Sequence, residues 1–236
     1  MAFNPPLMFV ITLQIAPPLK FHSYSLIHDD LPCMDNDDFR RGKPSCHKAY
    51  GEANALLAGD GLLTMAFYTL TQAKLPPEQI VQATEVLSNY AGVMGMIGGQ
   101  VIDLQSEGQT IDEDTLNDTY DLKTAALLKA ACELGCIAAS AEMQKRQIAR
   151  EYAKNLGFAF QIVDDILDVE GDAQRLGKPT GSDADKDKRT YIALFGMEQA
   201  KKRAKEYSEA ALTCLHDFDD CDFLNELTHR LAVRNH

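Results

Sequence analysis

Gly157-Phe158-Ala159-Phe160-Gln161-Ile162-Val163-Asp164-Asp165-Ile166-Leu167-Asp168 is the stretch whose reading decides the fold class. On a helix, positions 164 and 168 share a face, and Gly157, Phe160 and Gln161 lie within about 60° of it at about 100° per residue. The remaining surface carries Phe158, Ile162, Val163, Ile166 and Leu167, so the helix is apolar nearly all round and belongs at the centre of a helical core. Carboxylates one turn apart repel, weakly in water and more strongly when buried. A buried, uncompensated pair is expensive, so a cation is expected between them. Three carboxylates beside a glutamine are hard oxygen donors, which suits Mg²⁺ sharing phosphate ligands. A solvated charged face is the alternative; the apolar setting weighs against it.

Outward from this helix, apolar residues recur every three or four positions and alternating strand-like runs are scarce, which predicts an all-α fold. Helices are expected at 23–28, 53–73, 77–90, 100–106, 112–120, 124–141, 142–169, 197–215 and 223–233, with no internal repeat. The 236 residues, 45% of them hydrophobic, suffice for one large core and predict a single domain over 22–236 after an atypical segment, 1–21. A net charge of −12 argues against a general nucleic-acid binder, since phosphate backbones are held chiefly by Lys and Arg. The six cysteines form no CxxC pair and no zinc-finger spacing, and are read as reduced thiols; Cys132 and Cys136, one turn apart, favour core packing over half a metal site. The apolar run 7–16 is too short to span a bilayer, and no basic residue precedes it.

Two stretches interrupt the helical pattern. Residues 30–44 mix Pro32, Gly42 and Pro44 with charges, as residues 171–189 do with Gly171, Gly177, Pro179 and Gly181. Both are expected to be loops following apolar helices that end in aspartates. In the first, Asp29-Asp30-Leu31-Pro32-Cys33-Met34-Asp35, the outer acids would diverge on an unbroken helix. Pro32 cannot donate to the His28 carbonyl, so a helix end or bulge there is expected to return Asp35 toward Asp29. The acids run directly into Arg40-Arg41-Gly42-Lys43-Pro44, whose planar guanidinium donors suit phosphate oxygens. An EF-hand fails, because a loop beginning at Asp29 would have Leu31 at its third position and Arg40 at its twelfth.

Tyr24-Ser25-Leu26-Ile27-His28-Asp29-Asp30-Leu31-Pro32-Cys33-Met34-Asp35 followed by Arg40-Arg41-Gly42-Lys43-Pro44 resembles the first aspartate-rich motif of trans-prenyl diphosphate synthases, of the bacterial farnesyl diphosphate synthase type. Phe160 to Asp168 resembles the second. Gly98-Gly99-Gln100-Val101-Ile102-Asp103, Lys123-Thr124, and Gly177-Lys178-Pro179 leading to Asp187-Lys188-Arg189-Thr190-Tyr191 match in order and spacing. The resemblance runs from about His22 to the C-terminus.

It implies an isoprenoid synthase fold, with helices around a large central cavity, and head-to-tail condensation of isopentenyl diphosphate with an allylic diphosphate. Asp29 and Asp35 match Mg²⁺ ligands, with Asp30 adjacent. Asp164 matches the ligand of a third ion, supported by Asp165 and Asp168. Arg40, Lys123, Gln161 and Lys178 match residues around the allylic diphosphate, with Thr124 beside it, and Arg41 matches a contact to isopentenyl diphosphate. Of these, Asp29, Asp35, Arg40, Lys123, Asp164 and Lys178 are the expected catalytic set. Tyr24, five residues before Asp29, stands where the family limits chain growth; an ordinary core tyrosine is an equal reading.

The resemblance also implies a cytoplasmic homodimer without a membrane span. Family chains open with helices bearing a Gly-Gly-Lys-x-x-Arg-Pro element and a histidine that this sequence lacks, so weakened isopentenyl diphosphate binding is expected. A diphosphate-binding homologue or subunit partner, and a geranylgeranyl diphosphate synthase, are the competing readings. A terpene cyclase is disfavoured by Arg40-Arg41 and Lys178, which suit two diphosphates.

Overall fold

The computed structural model describes residues 16–176 and 190–233. The chain divides into two compact units, Met1–Glu85 and Val86–His236. The boundary falls inside one helix. Among the described residues, the only strands are two of two residues each, so the all-α expectation stands.

In the first unit, α1 (Ala16–Asp29) is followed by β1 (Phe39–Arg40), β2 (Lys43–Pro44), α2 (Cys46–Tyr50), α3 (Glu52–Thr71) and the start of α4 (Pro77–Ala91). Helix α1 begins seven residues before the expected Ser23, with Pro17 and Pro18 in its first turn. Proline is tolerated there because first-turn N–H groups lack intrahelical partners in any case. Lys20 Nζ donates to Thr69 Oγ1 at 2.6 Å and His28 Nε2 lies 3.0 Å from the Leu56 carbonyl, so α1 runs antiparallel along α3. The strands form a hairpin pairing Phe39 with Pro44 and Arg40 with Lys43. Its two-residue loop, Arg41-Gly42, has φ of 52° and 74°, the doubly positive pattern that matches strand twist and favours glycine.

The second unit contains the rest of α4, then α5 (Met96–Gln105), α6 (Glu113–Thr119), a π-helical turn (Tyr120–Ala125), α7 (Ala126–Ala138), α8 (Met143–Leu176), α9 (Tyr191–Phe195), α10 (Met197–Cys214), a 3₁₀ turn (Leu215–Asp217) and α11 (Asp222–Val233). The 34-residue α8 is its axis, packed by α7, α10, α11 and the π turn. Its surface meets two apolar clusters. One gathers Leu116, Tyr120, Phe158, Ile162, Ile166 and Tyr191; the other gathers Tyr152, Leu156, Ala211, Leu215 and Cys221. The central, apolar helix expected around residues 157–168 is therefore present.

Two further expectations are corrected. The helix expected over 124–141 is a π turn passing into α7, because a π turn changes the hydrogen-bond period without changing the apolar pattern. The loop expected from Gly171 begins later, since α8 continues to Leu176, and Gly177 to Arg189 lie outside the described residues. The short helices α2 and α9 were not anticipated, being only five residues each. Helix α6 starts where expected: Asp112 accepts from the Thr115 N–H at 2.9 Å and caps it.

Candidate functional site

The acidic turn of the first unit is built by Pro32. Helix α1 stops at Asp29, the Leu31 N–H bonds the His28 carbonyl at 3.1 Å, and the Asp35 N–H returns to the Asp29 carbonyl at 2.9 Å. The outer aspartates of the motif are thereby drawn together, as the position of Pro32 predicts. Asp29 is half-buried and Asp35 exposed. Asp30 points the other way: at 2% exposure it is buried, and its Oδ1 accepts from both Nε and Nη2 of Arg40, the Nε contact at 2.9 Å. The Arg40 guanidinium also lies 3.6 Å from Asp37 and 4.0 Å from Asp29. Its hydrogen bond to Asp30, with the surrounding carboxylates, raises its pKa. Asp30 thus fastens the hairpin to the end of α1, and the hairpin presents Arg41 at its tip, 3.5 Å from His22 Nε2. Burial, with Arg41 and Arg40 nearby, lowers the His22 pKa. Tyr24 is buried on α1, with its ring edge-on to His28 at 5.6 Å.

In the second unit, α8 holds Asp164 half-buried and Asp168 exposed on one face. Asp165 lies about 100° round the helix and turns into the core at 6% exposure. Its Oδ2 accepts from the Tyr120 hydroxyl and, at 3.4 Å, from the Tyr191 N–H; its Oδ1 accepts from Gln161 Nε2 at 3.3 Å. Burial raises its pKa to about 6, opposed by these three donors. Both of its oxygens are engaged by protein donors, the arrangement of a support rather than of an open ligand. Gln161 Oε1 accepts from the Thr124 hydroxyl at 2.9 Å.

Lys123 sits in the π turn beside Thr124, and its Nζ bonds Asp103 Oδ2 of α5 at 2.7 Å. This contact needs backbones closer than side chains permit. A Cβ on Gly99 would lie 2.2 Å from the Lys123 nitrogen, and one on Gly157 would lie 2.7 Å from Ala125 Cβ. Glycine on α5 and glycine on α8 let both helices clasp the turn that carries Lys123. Lys178 lies outside the described residues.

Among the described residues, no three His, Cys, Asp or Glu side chains form a ready-made metal cage. The oxygen-only donors at Asp29, Asp35, Asp164 and Asp168 nonetheless suit Mg²⁺. That ion keeps several waters and binds through one or two carboxylates plus substrate phosphates. Reading the sequence missed Tyr120 entirely and left Asp103 without a role. Their partners stand 45 and 20 positions away, beyond any periodicity.

An all-α chain with two such acidic elements, one locked to Arg40 and the other beside the turn that carries Lys123, has the make-up of an isoprenoid-synthase-fold transferase. A model of the polyprenyl synthetase family matches residues 19–227. The chain is 47% identical over 223 residues to the farnesyl diphosphate synthase of Escherichia coli, across 91% of this chain and 74% of that one. It is 45% identical over 201 residues to a chloroplastic geranylgeranyl pyrophosphate synthase of Capsicum annuum, across 84% and 54%. A crystal structure of an FPP/GFPP synthase from Zymomonas mobilis superposes with a TM-score of 0.82 at 35% identity, covering 96% of this chain and 82% of that one. The chain belongs to the polyprenyl synthetase family and is a trans-prenyltransferase. No helix among the described residues is long and apolar enough to cross a membrane.

Proposed function

We propose that the chain condenses isopentenyl diphosphate with dimethylallyl or geranyl diphosphate to give farnesyl diphosphate, acting as a homodimer. The observation that carries this reading is the Pro32 turn, which draws Asp29 and Asp35 together while reserving Asp30 for Arg40. On the family resemblance, Asp29 and Asp35 in the first unit, and separately Asp164 and Asp168 in the second, would serve as Mg²⁺ ligands. When bound, the metal neutralises charge on the departing diphosphate.

The residues of the chain do the remaining work. Breaking the allylic C–O bond separates a delocalised cation from diphosphate, so anionic charge must be stabilised without quenching the cation. Lys123 and Arg40 supply fixed positive charge for the leaving group. Each already faces a carboxylate, Asp103 or Asp30, which holds it in place before substrate arrives. Lys178 is assigned the same task on the resemblance alone. Thr124 and Gln161 orient the diphosphate, and Arg41 at the hairpin tip serves isopentenyl diphosphate. The double bond of isopentenyl diphosphate then attacks, and the proton lost from the product passes to the released diphosphate. The buried Tyr24 ring, by closing space along α1, favours the C15 product over geranylgeranyl diphosphate.

The test is to incubate the pure protein with isopentenyl and geranyl diphosphates and Mg²⁺ and to identify the products. Farnesyl diphosphate is expected. A C20 product overturns the chain-length assignment, and no product overturns the enzymatic reading.

A further inference from the structure

We propose that Tyr120 is a positioning residue of the allylic half-site, the buried rung of a two-rung clamp that keeps the Lys123 turn in register with the Asp164 face of α8. The inference rests on the prenyl-transfer reading for its consequences and on the hydrogen bonds of the second unit for its geometry.

Tyr120 and Thr124 stand four apart on the π turn, and Gln161 and Asp165 stand four apart on α8, so each pair projects from one side of its element. The rungs cross between them. Tyr120 donates to Asp165 Oδ2, and Thr124 donates to Gln161 Oε1 at 2.9 Å. The rungs are also coupled, because Gln161 Nε2 donates to Asp165 Oδ1 at 3.3 Å. An ionised carboxylate only accepts, so it compels the amide to turn its nitrogen inward and its oxygen toward Thr124. The Tyr191 N–H closes the third side, reaching the Tyr120 oxygen at 3.3 Å and Asp165 Oδ2 at 3.4 Å.

The functional side chains are the immediate neighbours of the rungs: Lys123 precedes Thr124, and Asp164 precedes Asp165. Fixing the rungs therefore fixes where the Lys123 and Asp164 backbones lie relative to each other. Packing alone does not call for this arrangement. The surroundings are apolar, with Leu116, Phe158, Ile162 and Ile166, and an apolar pair would fill the volume without burying a carboxylate. A fully satisfied buried network instead selects one arrangement among many.

The test compares the full chain with Tyr120→Phe and with Tyr191→Phe. The second variant removes a phenol hydroxyl from the same core, one bonded to Glu113 at 3.4 Å, and leaves in place the Tyr191 N–H that closes the clamp. For Tyr120→Phe, kcat is expected to fall about tenfold or more, with KM for isopentenyl diphosphate within about twofold. Calorimetry with inorganic diphosphate and Mg²⁺ should show a matching loss of affinity, while Tyr191→Phe leaves both unchanged. Equal effects of the two variants, or a loss of thermal stability with kcat intact, overturn the proposal.

Should Tyr120→Phe fail to fold, Asp165→Asn takes its place. Its amide presents a donor to Gln161 and replaces the charged acceptor of the Tyr120 rung by a neutral one. The same affinity loss is expected, with the number of metal ions bound per diphosphate unchanged; one ion fewer would make Asp165 a ligand and overturn the clamp. A wild-type chain that forms no prenyl product refutes the functional reading only, because the calorimetric comparison still decides the clamp. Absence of any Mg²⁺-dependent diphosphate binding refutes both.

Discussion

Replacing Gly99 by alanine tests the clasp on Lys123 directly. A Cβ there would sit 2.2 Å from the Lys123 nitrogen, 2.7 Å from the Leu122 carbonyl carbon and 2.8 Å from Leu122 Cβ. Two of these neighbours are backbone atoms that no rotamer change can move. In a close-packed interior, reaching an ordinary contact requires α5 and the π turn to part by about 1 Å. Overpacking of this kind costs about 1–3 kcal/mol, a sizeable share of the roughly 5–15 kcal/mol that stabilises a domain. The catalytic consequence should be larger in proportion, because the same two elements carry the 2.7 Å Lys123–Asp103 pair, and a shift of about 1 Å in a positioned group costs about 100-fold.

Gly135 of α7 supplies the control. A Cβ there meets nothing within 4 Å, so alanine should stabilise the helix by about 1 kcal/mol and leave activity intact. The denaturant midpoints of Gly99→Ala and Gly135→Ala should therefore move in opposite directions, and only Gly99→Ala should lose activity in steady-state kinetics. If Gly99→Ala retains kcat/KM within about twofold and unfolds like Gly135→Ala, the close approach of α5 to the Lys123 turn is refuted.

Three further outcomes are expected. Arg40→Lys keeps the charge but loses the fork that engages buried Asp30 and should destabilise the chain by about 2–4 kcal/mol, read as a lower denaturant midpoint; an unchanged midpoint would mean that Asp30 does not depend on the fork. Chelation by EDTA should abolish prenyl transfer and Mg²⁺ should restore it, with the thermal midpoint moving little because no metal cage holds the fold together among the described residues; collapse of the fold would point to a structural ion instead. Burial pushes the Cys132 and Cys136 thiols up to about 12 and about 11, so at pH 8 they are protonated and poor nucleophiles; iodoacetamide should label exposed Cys33 well before either, as mapped by mass spectrometry.

The fold was legible wherever a long apolar period met a strong terminator. Helix α8 declared itself by apolar residues on every side, α6 by Asp112, and the end of α1 by Pro32. The start of α1 was misread because Pro17 and Pro18 signal a helix break and a permitted first turn alike. Likewise, α8 passes through Gly171 because one glycine in a helix costs only about 1 kcal/mol, less than packing along a long helix returns.

The candidate site was legible to the extent that its chemistry is local. Asp29, Asp35, Asp164 and Asp168 follow from helical spacing and one proline, and each turns up on the expected turn or face. The division of labour within each acidic pair was not legible. Asp29 and Asp30 are adjacent and identical, as are Asp164 and Asp165, yet one of each pair faces outward while the other is buried against Arg40 or Tyr120. A rotation of about 100° between consecutive helical residues produces that split where one member of the pair borders the core. Which member turns inward depends on partners supplied from elsewhere in the chain. The inner aspartate of each pair holds an element that carries a functional side chain: Asp30 holds the hairpin bearing Arg41, and Asp165 holds the turn bearing Lys123. An acid-to-amide change at the inner position should therefore act by displacing a cation, while the same change at the outer position should act by weakening Mg²⁺ binding.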